Sequence, residues 1–379
     1  MTQKLKKLIG ISFIASNIIV VFFYLLACLV PFLNAGKHWF IALLGLIFPL
    51  LFFVVLGLCV YWLIRRSKWG FVYVAALLLS WQQIIVLFGY STDKKFNVAK
   101  KSDTIRVLSW NLSSWGISNK LNVQKIGYKK QMLELIKNAD ADVLCFQEFL
   151  FSREANFNDS VFPELKEKGY QYGYFVKNKI IGRVYKSALV TGVAILSKLP
   201  ITDTAQFEYS KDALAESLIY TDIQISNQKI RLFTTHLQSV RFEEYDYEAL
   251  HKLKEANKPS ATQSRAIIWK LRQAYKIRAK QAVLVNQKIK ESPYPVIVCG
   301  DFNDVPNSYT YFTIKGDLQD AFLKKGNGLG RTFRFISPTL RIDYILADKK
   351  FDVLQYSEFK VPYSDHYPVV ADFNIAEKK

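Results

Sequence analysis

The first ninety residues contain no aspartate or glutamate. They carry seven lysine or arginine residues, and no charged residue at all lies between Lys7 and Lys37. A soluble domain is not expected from such a segment, because soluble domains cover their surface with charged side chains of both signs. The remainder of the chain differs sharply, with 44 basic and 32 acidic residues, and has the composition of a globular domain.

The chain is also poor in cysteine. Cys28 and Cys59 lie in apolar runs, and Cys145 and Cys299 lie in strand-like runs. Without paired spacing they indicate neither a disulfide framework nor a zinc site, and we expect small buried hydrophobic residues.

The sequence also lacks a Walker phosphate loop and a dinucleotide-binding fingerprint, so the nucleotide-binding folds find no support.

Three long apolar runs fill the segment without acidic residues, at about 8–33, 39–64 and 69–90. Because about 20 apolar residues span a bilayer as a helix, the pattern predicts a membrane anchor of three transmembrane helices over residues 1–90. A cleaved signal peptide is the alternative for the first run, which is too long for one. The third run carries Ser80, Gln82 and Gln83, for which we expect hydrogen bonds inside the helix bundle.

The flanking charges predict the orientation of the anchor. Lysine and arginine cluster before the first run and after the second, at Lys4, Lys6, Lys7, Arg65, Arg66 and Lys68, whereas the loop between these runs has only Lys37. The positive-inside rule therefore places the N-terminus in the cytoplasm, and three crossings of the inner membrane place everything after Tyr90 on the periplasmic or extracellular side. Lys94, Lys95, Lys100 and Lys101 oppose this orientation, although large domains translocate largely regardless of charge.

Residues 91–103 are polar and predict a short linker before a catalytic domain at 104–379. Strand-like runs dominate the domain, namely TIRVLSW, DVLCFQE, ALVTGVAILS, LIYTDIQIS, KIRLFTTHL, PVIVCGD, RIDYILA and YPVVADF. Residues 123–139 and 261–290 have helical patterns. Many strands with few helices indicate an α/β sandwich.

Polar residues of the types that bind metal and phosphate follow these strands directly. Taken alone, an asparagine or aspartate after a strand is usually a turn residue, and a lone histidine is usually structural. Their combination is informative, because GDFND and SDHYPV each group several such side chains at the end of a strand, where sheet proteins place active sites.

The ordered set WN, QE, THL, GDFND, RIDY and SDHYPV resembles the endonuclease/exonuclease/phosphatase family, which includes pancreatic-type deoxyribonucleases, exonuclease-III-type repair enzymes and neutral sphingomyelinases. The run GVAILSKLPI at 192–201 resembles a core strand and turn of that family. The resemblance covers roughly 104–373. It implies a four-layer α-β-β-α sandwich, the DNase I-like fold, and hydrolysis of phosphoesters.

The resemblance also implies a divalent cation, Mg²⁺ with Mn²⁺ as an alternative. Glu148 fits as the main metal ligand, because Mg²⁺ prefers oxygen ligands and is typically held by one or two carboxylates. Asn111 and Asp365 belong, by resemblance, to the same metal cluster.

The catalytic roles follow the family in the same way. Asp301 is expected to orient or deprotonate the attacking water, and Asn303 to donate its amide to a phosphate oxygen. His236 and His366 are expected to bind the phosphate, and either one is suited to proton transfer. Asp343 is expected to hold His366 in the productive tautomer.

The sequence leaves the substrate open among nucleic acid, phospholipid headgroups and small phosphoesters. The segment 238–275 either shapes a substrate groove or forms a solvated helical insertion. Besides the substrate, the expected partner is the lipid bilayer, and no protein partner is evident. The alternative function is a catalytically inactive, membrane-tethered binding module of the same fold, which the intact motif residues disfavour.

Overall fold

The computed structural model describes residues 3–91, 96–101, 103–116, 128–151, 161–184, 187–209, 217–255 and 260–375. Four helices come first: α1 (Gln3–Cys28), α2 (Trp39–Ile64), α3 (Trp69–Leu79) and α4 (Trp81–Ile85). Helices α1 and α2 match the first two predicted spans and are long and apolar enough to cross a membrane.

The predicted third helix over residues 69–90 is wrong as an uninterrupted span. The helix breaks at Ser80, whose hydroxyl bonds the carbonyl of Leu77 and the hydroxyl of Tyr24. Serine side chains that bond the backbone in this way compete with the helical ladder. Helix α4 then ends at Ile85, because the following residues turn away to contact the second part of the molecule.

The broken segment nevertheless runs beside α1 and in the same direction. Asn17 accepts a hydrogen bond from Tyr73 near one end, and Gln83 donates to the carbonyl of Cys28 near the other. Ser80 and Gln83 therefore make the expected bundle contacts, whereas Gln82 is exposed. Buried polar groups paired in this way join the helices to each other.

The second part is an α/β domain. Its elements are β1 (Gly89–Tyr90), β2 (Thr104–Asn111), α5 (Lys129–Ala139), β3 (Val143–Phe151), α6 (Val161–Glu167), β4 (Tyr172–Val184), β5 (Ser187–Ser197), β6 (Ile201–Phe207), β7 (Leu218–Ile225), β8 (Gln228–His236), α7 (Glu244–Lys254), α8 (Ala261–Lys290), β9 (Val296–Asp301), α9 (Tyr309–Lys315), β10 (Gln319–Asp320), α10 (Ala321–Lys325), β11 (Asn327–Gly328), β12 (Asp343–Ala347), β13 (Phe351–Glu358) and β14 (Val369–Ile375).

Two six-stranded sheets form the domain. One has the order β13-β14-β2-β3-β5-β4, and the other has the order β10-β12-β9-β8-β7-β6. Each has one parallel pair at its centre, β2 with β3 and β8 with β9, and antiparallel neighbours on both sides. Strands β1 and β11 form a separate antiparallel pair.

The layers are held by three apolar clusters. Between the sheets, Val107 and Cys145 of one sheet pack with Leu232 and Cys299 of the other, and the two sulfur atoms lie 3.5 Å apart. Helices α5 and α6 cover the outer face of the first sheet, and α8 and α9 cover that of the second. This is the predicted α-β-β-α sandwich, since each sheet buries both of its faces.

All eight predicted strands are present. Strands β4, β6 and β13 were not predicted, because their mixed sequences interrupt the alternation of apolar and polar residues. Helix α8 has the predicted bounds, and the capping box of Ser260 and Gln263 marks its start. Helix α5 begins at Lys129, and residues 123–127 of that prediction lie outside the described residues.

The N-terminal helices pack directly on the domain. Val86 lies in the cluster beneath the second sheet, and its carbonyl accepts a hydrogen bond of 2.6 Å from the buried Arg341. The loop after β9 docks against α1, where Asn307 donates to the carbonyl of Ala27. A third contact joins the start of α2 to α8, with the Arg272 guanidinium 5.4 Å from the Trp39 ring.

Candidate active site

The polar residues predicted from the sequence come from strand ends that meet at one edge of the two sheets. Asn111 ends β2, and His236 and Asp301 are paired at the ends of β8 and β9. Asp343 begins the antiparallel strand β12 and lies opposite Asp301. Because side chains at strand ends are held by the sheet but open toward loops, this edge is suited to a rigid site.

Asp301 lies at the centre of the group. Its Oδ2 is 3.5 Å from His236 Nε2 and 3.6 Å from His366 Nε2, and it accepts a hydrogen bond of 3.1 Å from Asn111 Nδ2. Burial raises the pKa of Asp301, while the neighbouring His366 lowers it in part. A carboxylate with a raised pKa is a stronger base than an ordinary one, which suits a group that takes a proton from water.

His366 is held by a second carboxylate. Its Nδ1 lies 2.9 Å from Asp343 Oδ2, and its backbone carbonyl accepts a hydrogen bond from the Trp110 indole. Burial by itself lowers the pKa of His366, but Asp343 and Asp301 overcome this and raise it well above the usual value. The ring is therefore held with its Nε2 toward Asp301 and is favoured in the protonated state.

Asn303 follows Asp301 in a tight turn. Its backbone adopts a φ of 52°, and its amide N–H donates to Asp301 Oδ1 at 2.8 Å. Its side-chain amide donates to the carbonyl of Leu237, at the end of β8. One N–H of the side-chain amide is thus used to position the turn, and the second is the one suited to a phosphate oxygen.

Glu148 and Asp365 come from the other sheet. Glu148 lies within β3 and has a φ of 48°, an uncommon conformation for glutamate, at an irregularity of the β3–β5 ladder. Asp365 follows Ser364, whose hydroxyl donates to the carbonyl of Asn111. Of the predicted metal trio, Asn111 ends β2 and bonds Asp301, Glu148 lies within β3, and Asp365 lies in the loop before β14.

The residues of the site fit a divalent cation. Asp301, Asp343 and His366 offer ligand atoms that all lie within 4.8 Å of one another. Asp343 Oδ1 is buried without a hydrogen-bond partner among the described residues, which is costly for a carboxylate oxygen unless a cation or water satisfies it. This cluster differs from the predicted trio of Asn111, Glu148 and Asp365, whose role as metal ligands stays a prediction.

Two side chains of the 238–275 segment reach the same region. Burial lowers the pKa of Arg241, and the negative charge of Glu148 raises it in part. Tyr247 of α7 has a pKa of about 12, raised by burial and by the charge of Asp365. Sequence reasoning singled out Arg241 only as one of several basic residues and missed Tyr247, because neither belongs to a motif.

A buried ion pair between Asp304 and Arg278 joins the turn after β9 to helix α8. Asp304 lies 3.4 Å from Arg278 of α8, and Arg278 donates to the carbonyl of Gln238 just after β8. Burial raises the pKa of Asp304, and the Arg278 charge lowers it in part. Arg278 was also missed, since one arginine on a helix that is otherwise rich in basic residues carries no distinguishing signal.

A family model for the endonuclease/exonuclease/phosphatase family matches residues 109–366, which is more than half of the chain and contains all eight predicted site residues. The chain belongs to this family. A second model, described as a domain of unknown function, matches residues 6–87. No curated protein sequence matches the chain.

Solved structures confirm the fold of this family member. An endonuclease/exonuclease/phosphatase from Beutenbergia cavernae DSM 12333 superposes with a TM-score of 0.51 at 18% identity, over 72% of each chain. The human Nocturnin catalytic domain with bound sulfate superposes with a TM-score of 0.50 at 20% identity, over 72% of this chain and 94% of that one. At such identities the similarity establishes the DNase I-like sandwich alone.

Proposed function

We propose that this chain is a membrane-anchored, divalent-cation-dependent hydrolase of phosphoester bonds. The position of Asp301 carries the proposal, because its Oδ2 lies 3.5 Å and 3.6 Å from the Nε2 atoms of two histidines. Phosphoester hydrolysis needs a base for water beside groups that bind negatively charged oxygens, and this arrangement supplies both.

In the proposed reaction, Asp301 orients a water molecule and accepts its proton. His236, His366 and Asn303 bind the non-bridging oxygens of the phosphate. As the water oxygen bonds to phosphorus, the bond from phosphorus to the leaving oxygen breaks, and that oxygen takes a proton from His366. His366 suits this role, since Asp343 lies 2.9 Å from its Nδ1 and favours its protonated form.

Glu148, Asn111 and Asp365 are proposed to hold the cation, Mg²⁺ or Mn²⁺. When bound, it neutralises phosphate charge and stabilises the developing negative charge of the reaction. The carboxylate of Glu148 and the amide oxygen of Asn111 are the hard oxygen ligands that such cations prefer.

The membrane part of the proposal rests on α1 and α2, with mean hydropathies of 2.3 and 2.9 over their candidate spans. We propose that they cross the inner membrane with the N-terminus in the cytoplasm. The domain contacts the end of α1 and the start of α2, whereas Arg65, Arg66 and Lys68 lie at the opposite end of α2. This distribution supports a catalytic domain on the periplasmic or extracellular side.

The test is Glu148→Gln in the full-length protein, purified in detergent and assayed with bis(4-nitrophenyl) phosphate and 4-nitrophenyl phosphate. At limiting Mg²⁺ we expect a loss of hydrolysis on the order of 10²-fold or more, because a bound cation contributes several kcal/mol to catalysis. The matched control is Glu134→Gln on the exposed face of α5, which should behave as the wild type. Near-normal hydrolysis by Glu148→Gln would remove the metal assignment.

Absence of hydrolysis in the wild type, with either cation and either ester, would instead favour the binding-module alternative. Melting temperatures of all three proteins keep these outcomes apart from misfolding. Since the substitution is isosteric, we expect Glu148→Gln to unfold within a few degrees of the wild type, about 1 kcal/mol at most.

A further inference from the structure

One face of helix α8 contacts the N-terminal helices at its middle and is exposed nearer its start. At its middle, Arg272 packs over Trp39 of α2, and Tyr275 and Ala279 pack with Ala35 and Ala42 of the anchor. At 100° per residue, Arg265, Ile268 and Trp269 lie on this same face, nearer the start of the helix. The face therefore continues beyond the anchor contact by about 10 Å, the rise from Arg272 back to Arg265.

This continuation, which we call the α8 face, consists of Arg265, Ile268, Trp269 and Arg272. Trp269 is 59% exposed and Ile268 is 44% exposed. An exposed tryptophan and isoleucine flanked by two arginines are typical of helices that lie in the interface of a membrane. Tryptophan favours that depth because its ring is apolar and its N–H is polar, and arginine binds lipid phosphates.

The ends of α1 and α2 indicate where the α8 face lies relative to the bilayer. The chain between α1 and α2 contacts α8, and Phe32 and Phe40 in the same region are 62% and 55% exposed. If α1 and α2 cross the bilayer, their ends lie in its interface, and the α8 face lies beside them. Two apolar side chains are too few for a stable protein interface, which buries roughly 800 Å² per partner.

The same half of α8 lies next to the catalytic site. Lys270 forms an ion pair of 2.6 Å with Asp246 of α7. The same helix carries Tyr247, whose pKa is raised by burial and by the charge of Asp365. Arg278 of α8 donates to the carbonyl of Gln238 just after β8, and Ala282 and Val285 pack under the sheet, so α8 passes the edge that holds the site near Arg278. The preceding residues extend past this edge, and Arg272 lies about 9 Å before Arg278 along the helix.

We infer that the α8 face lies in the bilayer interface and holds the site at the lipid headgroups, so that the substrate is a phosphoester carried by a membrane lipid. The inference rests on the proposed function, since it names the substrate class of the same site. In the reaction, water adds to the lipid phosphorus, one phosphorus–oxygen ester bond breaks, and the leaving alcohol takes the proton.

The first experiment reads the surface without using activity. Full-length Trp269→Cys is labelled with an environment-sensitive fluorophore and reconstituted into phosphatidylcholine–phosphatidylglycerol vesicles that contain brominated lipid. The control label is Asn227→Cys, at the exposed turn between β7 and β8, about 26 Å along the nine-residue strand β8 from His236. The four native cysteines are buried, and labelling of the unsubstituted protein gives the background.

We expect blue-shifted emission and strong quenching by brominated lipid at position 269, and neither effect at position 227. Equal emission and equal quenching at both positions would overturn the membrane contact. Because this readout requires no catalysis, it decides the contact even if the protein hydrolyses no phosphoester.

The second experiment compares a lipid with a soluble substrate. The Ile268→Glu/Trp269→Glu variant should lose about tenfold or more in the hydrolysis of vesicle phosphatidylglycerol, equivalent to roughly 1.4 kcal/mol of surface binding. Its hydrolysis of bis(4-nitrophenyl) phosphate should be unchanged. Equal losses on both substrates, or wild-type activity toward the soluble ester alone, would overturn a lipid substrate while leaving the proposed hydrolase intact.

Discussion

The charge on His366 is controlled by two buried carboxylates. Asp343 bonds its Nδ1, and Asp301 faces its Nε2. If Asp343 serves catalysis only through His366, Asp343→Ala and His366→Ala should each lower kcat by on the order of 10²–10⁴-fold. The double variant should then be little worse than His366→Ala alone, because residues that act as one unit give non-additive losses.

A structural role for Asp343 predicts a different result. The alternative is a purely structural role for the buried Asp343 carboxylate at the start of β12. In that case Asp343→Ala would mainly lower the melting temperature, and its effect on kcat would multiply with that of His366→Ala. Measuring kcat and melting temperature for the four proteins separates a catalytic pair from two independent residues.

The position of several site residues could be predicted because they end an apolar strand. Asn111, His236 and Asp301 needed only the strand boundary and the family motifs to be placed at one edge. Arg241 and Tyr247 could not be found in this way, since the path of the insertion, not a local pattern, brings them near Glu148 and Asp365.

The β8–β9 pair depends on a glycine. Gly300 has a φ of 138°, and a Cβ at this position would lie 2.0 Å from the carbonyl oxygen of Thr235 on the paired strand. Real Cβ atoms do not approach a backbone oxygen so closely. The neighbouring pair of His236 and Asp301 is thus aligned by two strands that approach each other without an intervening side chain.

Gly300→Ala should therefore separate the strands and misplace both side chains. We expect a loss of more than about 3 kcal/mol in unfolding free energy together with loss of hydrolysis, because backbone must move to relieve the overlap. Gly328→Ala is the control, with a φ of 71° and open space around the added methyl group, and should cost only about 1–2 kcal/mol. Similar melting temperatures for the two variants would contradict the steric argument.

At the level of elements, the hydrophobic pattern of the sequence predicted strands and helices correctly where the pattern was regular. The eight predicted strands and helix α8 are apolar or capped in ways that local sequence shows directly. The break at Ser80 was not foreseeable from hydropathy, because the run is apolar before Ser80 and becomes apolar again at Ile84. The break accompanies a hydrogen bond to Tyr24, 56 residues earlier in the chain, and this contact exists only once the helices pack.

The orientation of the whole molecule gives a separate prediction. A reporter enzyme that works only in the periplasm, fused after Lys379, should be active, and one that works only in the cytoplasm should be silent. The reason is that the basic residues before α1 and after α2 favour the cytoplasmic side. The prediction also requires the broken α3–α4 segment to make the third passage, and this segment runs beside α1 in the same direction, with contacts at Asn17 and Cys28.

Fusion of the same two reporters after Arg66 serves as the control, and there the activities should be exchanged. Cytoplasmic activity at both positions would mean that the chain makes only the two passages of α1 and α2. The domain would then face the cytoplasm, and its phosphoester substrates would be cytoplasmic ones.

Arg341 is bound by the carbonyl oxygen of Val86, not by a side chain of the anchor. Every amino acid offers that oxygen, so exchanges among apolar residues that fit the buried site at position 86 keep the bond. Over evolutionary time the arginine would persist beside a position that changes among apolar residues, and no co-varying side chain at position 86 would reveal the contact. What selection must retain is length: one residue inserted or deleted between Ile85 and Gly89 would shift the carbonyl and leave the buried guanidinium with Asp320 but without this second partner.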